Sequence, residues 1–192
     1  MKKLSALLAA ALMLILSGCG AKITPAVFTQ EESLAIELID PKAEDWDLFE
    51  FSLPETADDA YFTLWRLVDG EWEVFSRTGG SWHSVTSGRL AFNCDLSRLT
   101  LQYSLQFEGG GGYVMNDPLQ LPGGQTGVTW GCSTLSDETE IALGEPLPVL
   151  LVAGTTGGGL AVPDPAVGFA DPSLFGGEFA DVFVFTIEFS ND

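Results

Sequence analysis

The sequence predicts an all-β fold: an antiparallel β-sandwich of about nine strands, immunoglobulin-like or jelly-roll in topology. Three observations lead there. Apolar and polar residues alternate with period two in several segments, clusters of Gly, Pro, Asn and Asp separate those segments, and no long stretch carries a helical period. Such half-buried strands place one face on a core and leave the other to solvent.

From the N-terminus, Leu34, Ile36 and Leu38 alternate, which predicts a strand over 32–39 ended by Asp40-Pro41; a capping box, Thr29-x-x-Glu32, speaks for a helix instead. The strand is the reading adopted, because everything around it is β. A second strand runs over 47–53, with Phe49, Phe51 and Leu53 on its apolar face. Between Tyr61 and Arg77, Asp69-Gly70 is flanked by apolar and β-branched residues, a strong signal for a two-residue hairpin. The turn sets Val68 against Glu71, Leu67 against Trp72, Arg66 against Glu73, Trp65 against Val74 and Leu64 against Phe75. Trp65, Leu67, Trp72 and Val74 then share a face assigned to the core, and Arg66 and Glu73 meet as an exposed ion pair worth at most about 1 kcal/mol.

Leu90, Phe92, Cys94 and Leu96 mark the next strand, and Leu99, Leu101, Tyr103, Leu105 and Phe107 the one after. Further strands are expected at 127–134 and 148–153, and Phe183, Phe185, Ile187 and Phe189 form the last. Gly109–Gly112 is a loop, and the stretch 154–177, with seven glycines and three prolines, is a long one. Connections of that length are uncommon unless functional or disordered.

Upstream of the domain, Lys2 and Lys3 precede an apolar stretch from Leu4 to Leu16, too short to span a bilayer and typical of a secretory signal peptide. It ends in Leu16-Ser17-Gly18-Cys19, which resembles the lipobox of bacterial lipoproteins. The resemblance covers the chain only to about Gly20. It implies that Cys19 receives a diacylglyceryl group and, after cleavage, becomes an acylated mature N-terminus. More than one acyl chain gives stable anchoring where a single chain binds marginally. The expected organisation is therefore signal peptide 1–18, lipidated cysteine and flexible tether 19–31, and one domain over 32–192. The location it implies is the extracytoplasmic face of a bacterial membrane.

The chain carries 27 acidic and 8 basic residues, a net charge of −19. Loss of 1–18 removes Lys2 and Lys3 and no acid, so the mature chain is more negative still. Such a charge repels phosphate backbones and excludes nucleic acid as a partner.

No motif for catalysis or a cofactor stands out. His83 is the single histidine, no G-x-S-x-G elbow or P-loop lysine occurs, and no metal-ligand spacing is present. Cys94 and Cys132 both fall on apolar faces and could bridge the two sheets as a disulfide, or be two small buried hydrophobes. Trp46 lies off the apolar face of its strand and Trp82 lies in a loop; exposed tryptophans can stack on sugar rings. These two, with Asp45, Asp47 and His83 as hydrogen-bonding neighbours, are the candidate ligand-binding residues. The functional expectation is a non-enzymatic surface module binding a glycan or cell-wall ligand. The alternatives are a module that docks an envelope protein and a hydrolase with an unrecognised carboxylate pair.

Overall fold

The computed structural model describes residues 20–37, 46–114, 119–122, 127–157 and 160–191. It is all-β and antiparallel, with ten strands among the described residues. They are β1 (Lys22–Ala26), β2 (Trp46–Val68), β3 (Glu71–Asp95), β4 (Thr100–Phe107), β5 (Gly112–Val114), β6 (Leu119–Gln120), β7 (Thr129–Thr134), β8 (Thr139–Glu140), β9 (Leu147–Thr155) and β10 (Phe179–Ser190). Helices α1 (Gln30–Glu37) and α2 (Pro165–Ala170) and a 3-10 turn (Pro172–Leu174) complete the described elements.

Two strands organise everything else. β2 and β3 form one long hairpin of 23 and 25 residues. Its register shifts between Ser52 and Ala57 and again between Ala57 and Asp59, where bulges bend the strands. The hairpin thereby folds over on itself and contributes to two layers. In the first, the early arm of β2 and the late arm of β3 lie between β1, which also pairs with β8, and β4, which pairs with β5 and β6. In the second, the other arms are followed by β10, β9 and β7. The result is a single hydrogen-bonded sheet curled into a sandwich-like body.

The bend is held by Asp58, whose carboxylate accepts from the Ser84 amide at 3.4 Å and whose carbonyl accepts from Ser81 Oγ at 3.5 Å. His83 and Ser84 take φ of 54° and 62°, a left-handed conformation that non-glycine residues seldom adopt. At the other end the hairpin closes through Asp69 and Gly70, with φ of 51° and 87°, as the Asp-Gly signal requires.

Between the layers lies a core of aromatic and aliphatic side chains. Phe49, Phe51, Phe62, Phe92, Tyr103, Phe185 and Phe189 meet there, with Phe51 on Phe189 at 4.7 Å and Tyr103 on Phe185 at 4.9 Å between ring centres. The Tyr103 hydroxyl also hydrogen-bonds Thr78 across the layers. β10 is buried on both faces: Phe183, Phe185, Ile187 and Phe189 point into this core, while Val182 and Val184 point outward beneath a cover.

That cover is formed by described residues of the Gly/Pro-rich stretch. β9 runs through Gly154 and Thr155. Asp164 then caps α2 by accepting from the Ala166 and Val167 amides at 2.9 and 3.4 Å, with Pro165 in the first turn. Leu160, Val162, Phe169 and Phe175 pack on Leu67, Trp72, Leu151, Ala153 and Val184 as a second, smaller cluster. Trp72 Nε1 donates to the Phe169 carbonyl at 2.9 Å.

Several expectations are corrected. Residues 30–37 are helix, not strand: the Thr29 amide donates to Glu32 Oε2 at 2.8 Å and the Glu32 amide to Thr29 Oγ1 at 3.3 Å, the reciprocal bonds of a capping box. Residues 22–26, expected in a free tether, form β1, and Ile23 is fully buried. The hairpin register holds from Val68 to Trp65, but a bulge at Phe75 sets Leu64 against Ser76. Trp65, Leu67, Trp72 and Val74 lie on the face opposite the main core. The first three are half-buried, and Val74 remains 53% exposed. Arg66 pairs with Asp181 at 2.6 Å, although Glu73 stands opposite it in the ladder.

Candidate functional site

The expected ligand-binding residues do not converge. Asp45 and Cys19 lie outside the described residues. Trp46 faces Asn93 at one end of the first layer, whereas Trp82 sits in the bend at the other end. There Trp82 is half-buried, packing edge-on against Phe107 at 5.3 Å, so its ring belongs to the core margin. His83 is exposed beside it. Asp47 alternates onto the same side as Phe49 and Phe51, and burial raises its pKa.

Cys94 and Cys132 stand in opposite layers, near the end where Asp47 lies. Both are free, Cys94 half-buried and Cys132 exposed on the edge strand β7, so the disulfide expectation is not met. Burial, then the neighbouring charge of Cys132, pushes the Cys94 thiol up to about 12. Cys132, exposed at the strand edge yet partly desolvated by its neighbours, is raised first by that desolvation and then by Asp47. Neither is a ready thiolate. Among the described residues no group of three or more His, Cys, Asp or Glu is placed to hold a metal ion.

What the fold does assemble lies on the outer face of the first layer. Because strand side chains alternate, the residues between the buried Phe49, Phe51, Leu90, Leu105 and Phe107 all project outward. Register then aligns them across four strands. One row reads Thr24, Glu50, Arg89, Gln106; the next reads Lys22, Ser52, Ser87, with Glu108 completing it. At about 4.8 Å between strands and about 7 Å between same-face residues, each row spans about 14 Å and the two stand about 7 Å apart.

The rows floor an open trough of about 1030 Å³, also lined by Thr86 and Glu138. A smaller hollow of about 210 Å³ adjoins it, lined by Phe28, Glu32, Leu48, Ala91 and Ser104 and sharing Arg89 and Gln106. Close packing beneath the trough depends on Gly88, where a Cβ would lie 2.2 Å from the Gln106 carbonyl oxygen and 2.8 Å from the Phe51 ring.

Ion pairs orient the polar groups. The Arg89 guanidinium donates to Glu50 Oε1 at 2.7 and 3.1 Å and, from its other terminal nitrogen, to Glu32. These bonds raise the Arg89 pKa. The Glu32 carboxyl is held below its ordinary range, first by the Thr29 amide, then by the Thr29 hydroxyl, and also by Arg89. Lys22 Nζ donates to Glu138 at 2.8 Å and lowers that carboxyl, with Thr24 Oγ1 adding a bond at 3.3 Å. Ser87 Oγ donates to Glu108 at 2.6 Å. Donors and acceptors are thus fixed in pairs on a rigid sheet, open to solvent on one side.

Sequence reasoning missed this face. Its residues look like ordinary solvated positions of amphipathic strands, and only the register, with Glu50 opposite Arg89 and Arg89 opposite Gln106, makes them neighbours.

These features define the chain as an all-β, sandwich-like domain with a polar trough on one outer face. No family model, no curated protein and no solved structure matches it.

Proposed function

We propose that this chain is a lipid-anchored extracytoplasmic lipoprotein whose domain binds a glycan along the trough. The observation that carries the reading is the pair of polar rows, Thr24–Glu50–Arg89–Gln106 and Lys22–Ser52–Ser87–Glu108, fixed across four strands. A polyhydroxylated chain offers donors and acceptors at every ring, and a preorganised set of the same kind meets it at low entropic cost. The acids outnumber the bases in the trough, which selects for neutral or amino-bearing sugars over anionic ones. No tryptophan lines the trough, so the stacking role first given to Trp46 and Trp82 passes to hydrogen bonding by Arg89, Gln106 and Glu108.

Binding without turnover fits the carboxylates present. Glu32 and Glu50 flank one guanidinium, but a glycosidase needs a carboxyl of raised pKa as proton donor, and Glu32 is shifted the other way. The test is retention of the domain, starting at Gly20, on insoluble neutral polysaccharides and peptidoglycan. Retention lost in Arg89→Ala and kept in Trp82→Ala supports the reading; retention unchanged in Arg89→Ala contradicts it.

A second reading, docking of an envelope protein, is favoured by one observation. Val74 and Phe75 are exposed on the arm of β3 that, among the described residues, forms an edge of the second layer. Apolar side chains beside unpaired strand backbone are suited to strand addition. That reading predicts capture lost in Val74→Glu and insensitive to glycan.

A further inference from the structure

We infer that the domain rides directly on the bilayer, with the bend of the β2–β3 hairpin turned toward the lipid headgroups and the Asp69-Gly70 turn pointing away. The inference rests on lipidation of Cys19 and goes beyond it, because a lipid anchor alone says nothing of distance or orientation.

The argument begins with how soon the chain is held. The Ala21 carbonyl accepts from the Ile141 amide at 2.9 Å. Lys22 pairs with Ser52 on one side and Glu140 on the other, and Ile23 is fully buried. Only Gly20 stands between the acylated residue and the first hydrogen-bonded one. Two residue steps of about 3.5 Å give a leash of about 7 Å, against about 40 Å for the twelve residues expected in a free tether. A covalent leash of about 7 Å holds Ala21 beside the headgroups even though the domain is strongly acidic, so the domain cannot retreat from the headgroup region.

The direction of the strands then fixes which end faces the membrane. β1 is antiparallel to β2, so the chain before Lys22 points past Ser52 toward the bend at 53–58. The same end gathers the 142–145 turn, through the Gly144 amide on the Phe189 carbonyl at 2.8 Å, and Asn191, whose side chain accepts from the Asp58 amide at 3.1 Å. From there the second arm of β2 runs ten residues to the Asp69-Gly70 turn, about 33 Å at strand rise. Glu55, Asp58, Glu140 and Glu145 are exposed at the near end. This contact is therefore imposed by the covalent anchor, without insertion of side chains into the lipid. The trough, which begins at Lys22 and Glu138, opens sideways just above the headgroups, so its ligand lies along the membrane surface.

The test uses full-length lipidated protein in phosphatidylcholine vesicles carrying a headgroup-linked acceptor dye. A donor dye is attached at Glu145→Cys or at Glu71→Cys, each with Cys94→Ser and Cys132→Ser. Energy transfer is expected to be several-fold stronger from position 145 than from 71, and a twelve-residue Gly/Ser insert between Gly20 and Ala21 should erase the difference. Should the substituted background fail to fold, amide exchange of the unsubstituted protein gives the same answer: slower exchange at 54–58 and 142–145 on vesicles than in detergent, and none of that slowing at 69–71. Equal transfer from both sites, or equal exchange, overturns the orientation while leaving the anchor intact. Failure of the protein to float with vesicles overturns the anchor and the orientation with it.

Discussion

The two outer faces of this curled sheet differ in kind. On the first layer the outward positions that floor the trough, from Lys22 and Thr24 across Glu50, Ser52, Ser87 and Arg89 to Gln106, are polar and stay open to solvent, while the neighbouring Leu48 is buried beside Phe28. On the second layer the outward positions include Trp65, Leu67, Trp72, Leu151, Ala153, Val182 and Val184, and the 160–179 stretch covers them. The same two strands, β2 and β3, supply both faces. The chain thus uses apolar surface to close one side and leaves the other open to solvent, which is why the proposed ligand-binding face is that of the first layer.

The largest expected effect breaks the covered side. Trp72→Ala removes a ring that touches Phe169 and Phe175 and donates to the Phe169 carbonyl, and should destabilise the domain by about 3 kcal/mol, read by urea titration. If the faces are independent, glycan retention at low denaturant is unchanged. Gly88→Ala attacks the floor of the open side from beneath. Its Cβ meets backbone and the Phe51 ring, so a loss of about 2 kcal/mol together with weakened retention is expected.

A smaller effect comes from Asp47 at the inner margin. Its carboxyl is raised by burial, so the folded chain binds that proton more tightly than the unfolded chain. The contribution is fully present below the ordinary carboxylate pKa and is lost as pH rises through the folded value. Asp47→Asn should therefore raise the melting temperature at neutral pH and do nothing in strong acid, checked by thermal scans at both.

Cys94 gives the same case at high pH. With the folded thiol at about 12 and an ordinary value of 9.0, stability should fall as pH climbs between them, an effect absent in Cys94→Ser. Smallest of all is the stability effect of Arg89→Ala, whose exposed ion pairs contribute little, so its melting temperature should barely move even though retention is lost.

Much of this architecture was readable from alternation. Leu101, Tyr103, Leu105 and Phe107 and the Phe183–Phe189 series are buried as their spacing demands, and Asp69-Gly70 forms the hairpin turn. The misreadings share a physical origin. Alternation tells which residues share a face but not what covers it, so Trp65 and Trp72 went to the wrong core when a Gly/Pro-rich segment supplied a second one. The Glu32 helix was legible in its capping box and was overruled by its β surroundings. The trough was legible nowhere, because Thr24, Glu50, Arg89 and Gln106 are far apart in the chain and become a row only through the pairing of β1, β2, β3 and β4.

The most direct measurement of the account is retention of the domain on insoluble neutral polysaccharide and peptidoglycan, comparing the unsubstituted chain with Arg89→Ala and Val74→Glu. The account predicts retention that survives Val74→Glu and disappears in Arg89→Ala with the fold intact. Retention by none of them would contradict it, and loss in Val74→Glu alone would contradict it and move the binding face to the exposed apolar edge of the second layer.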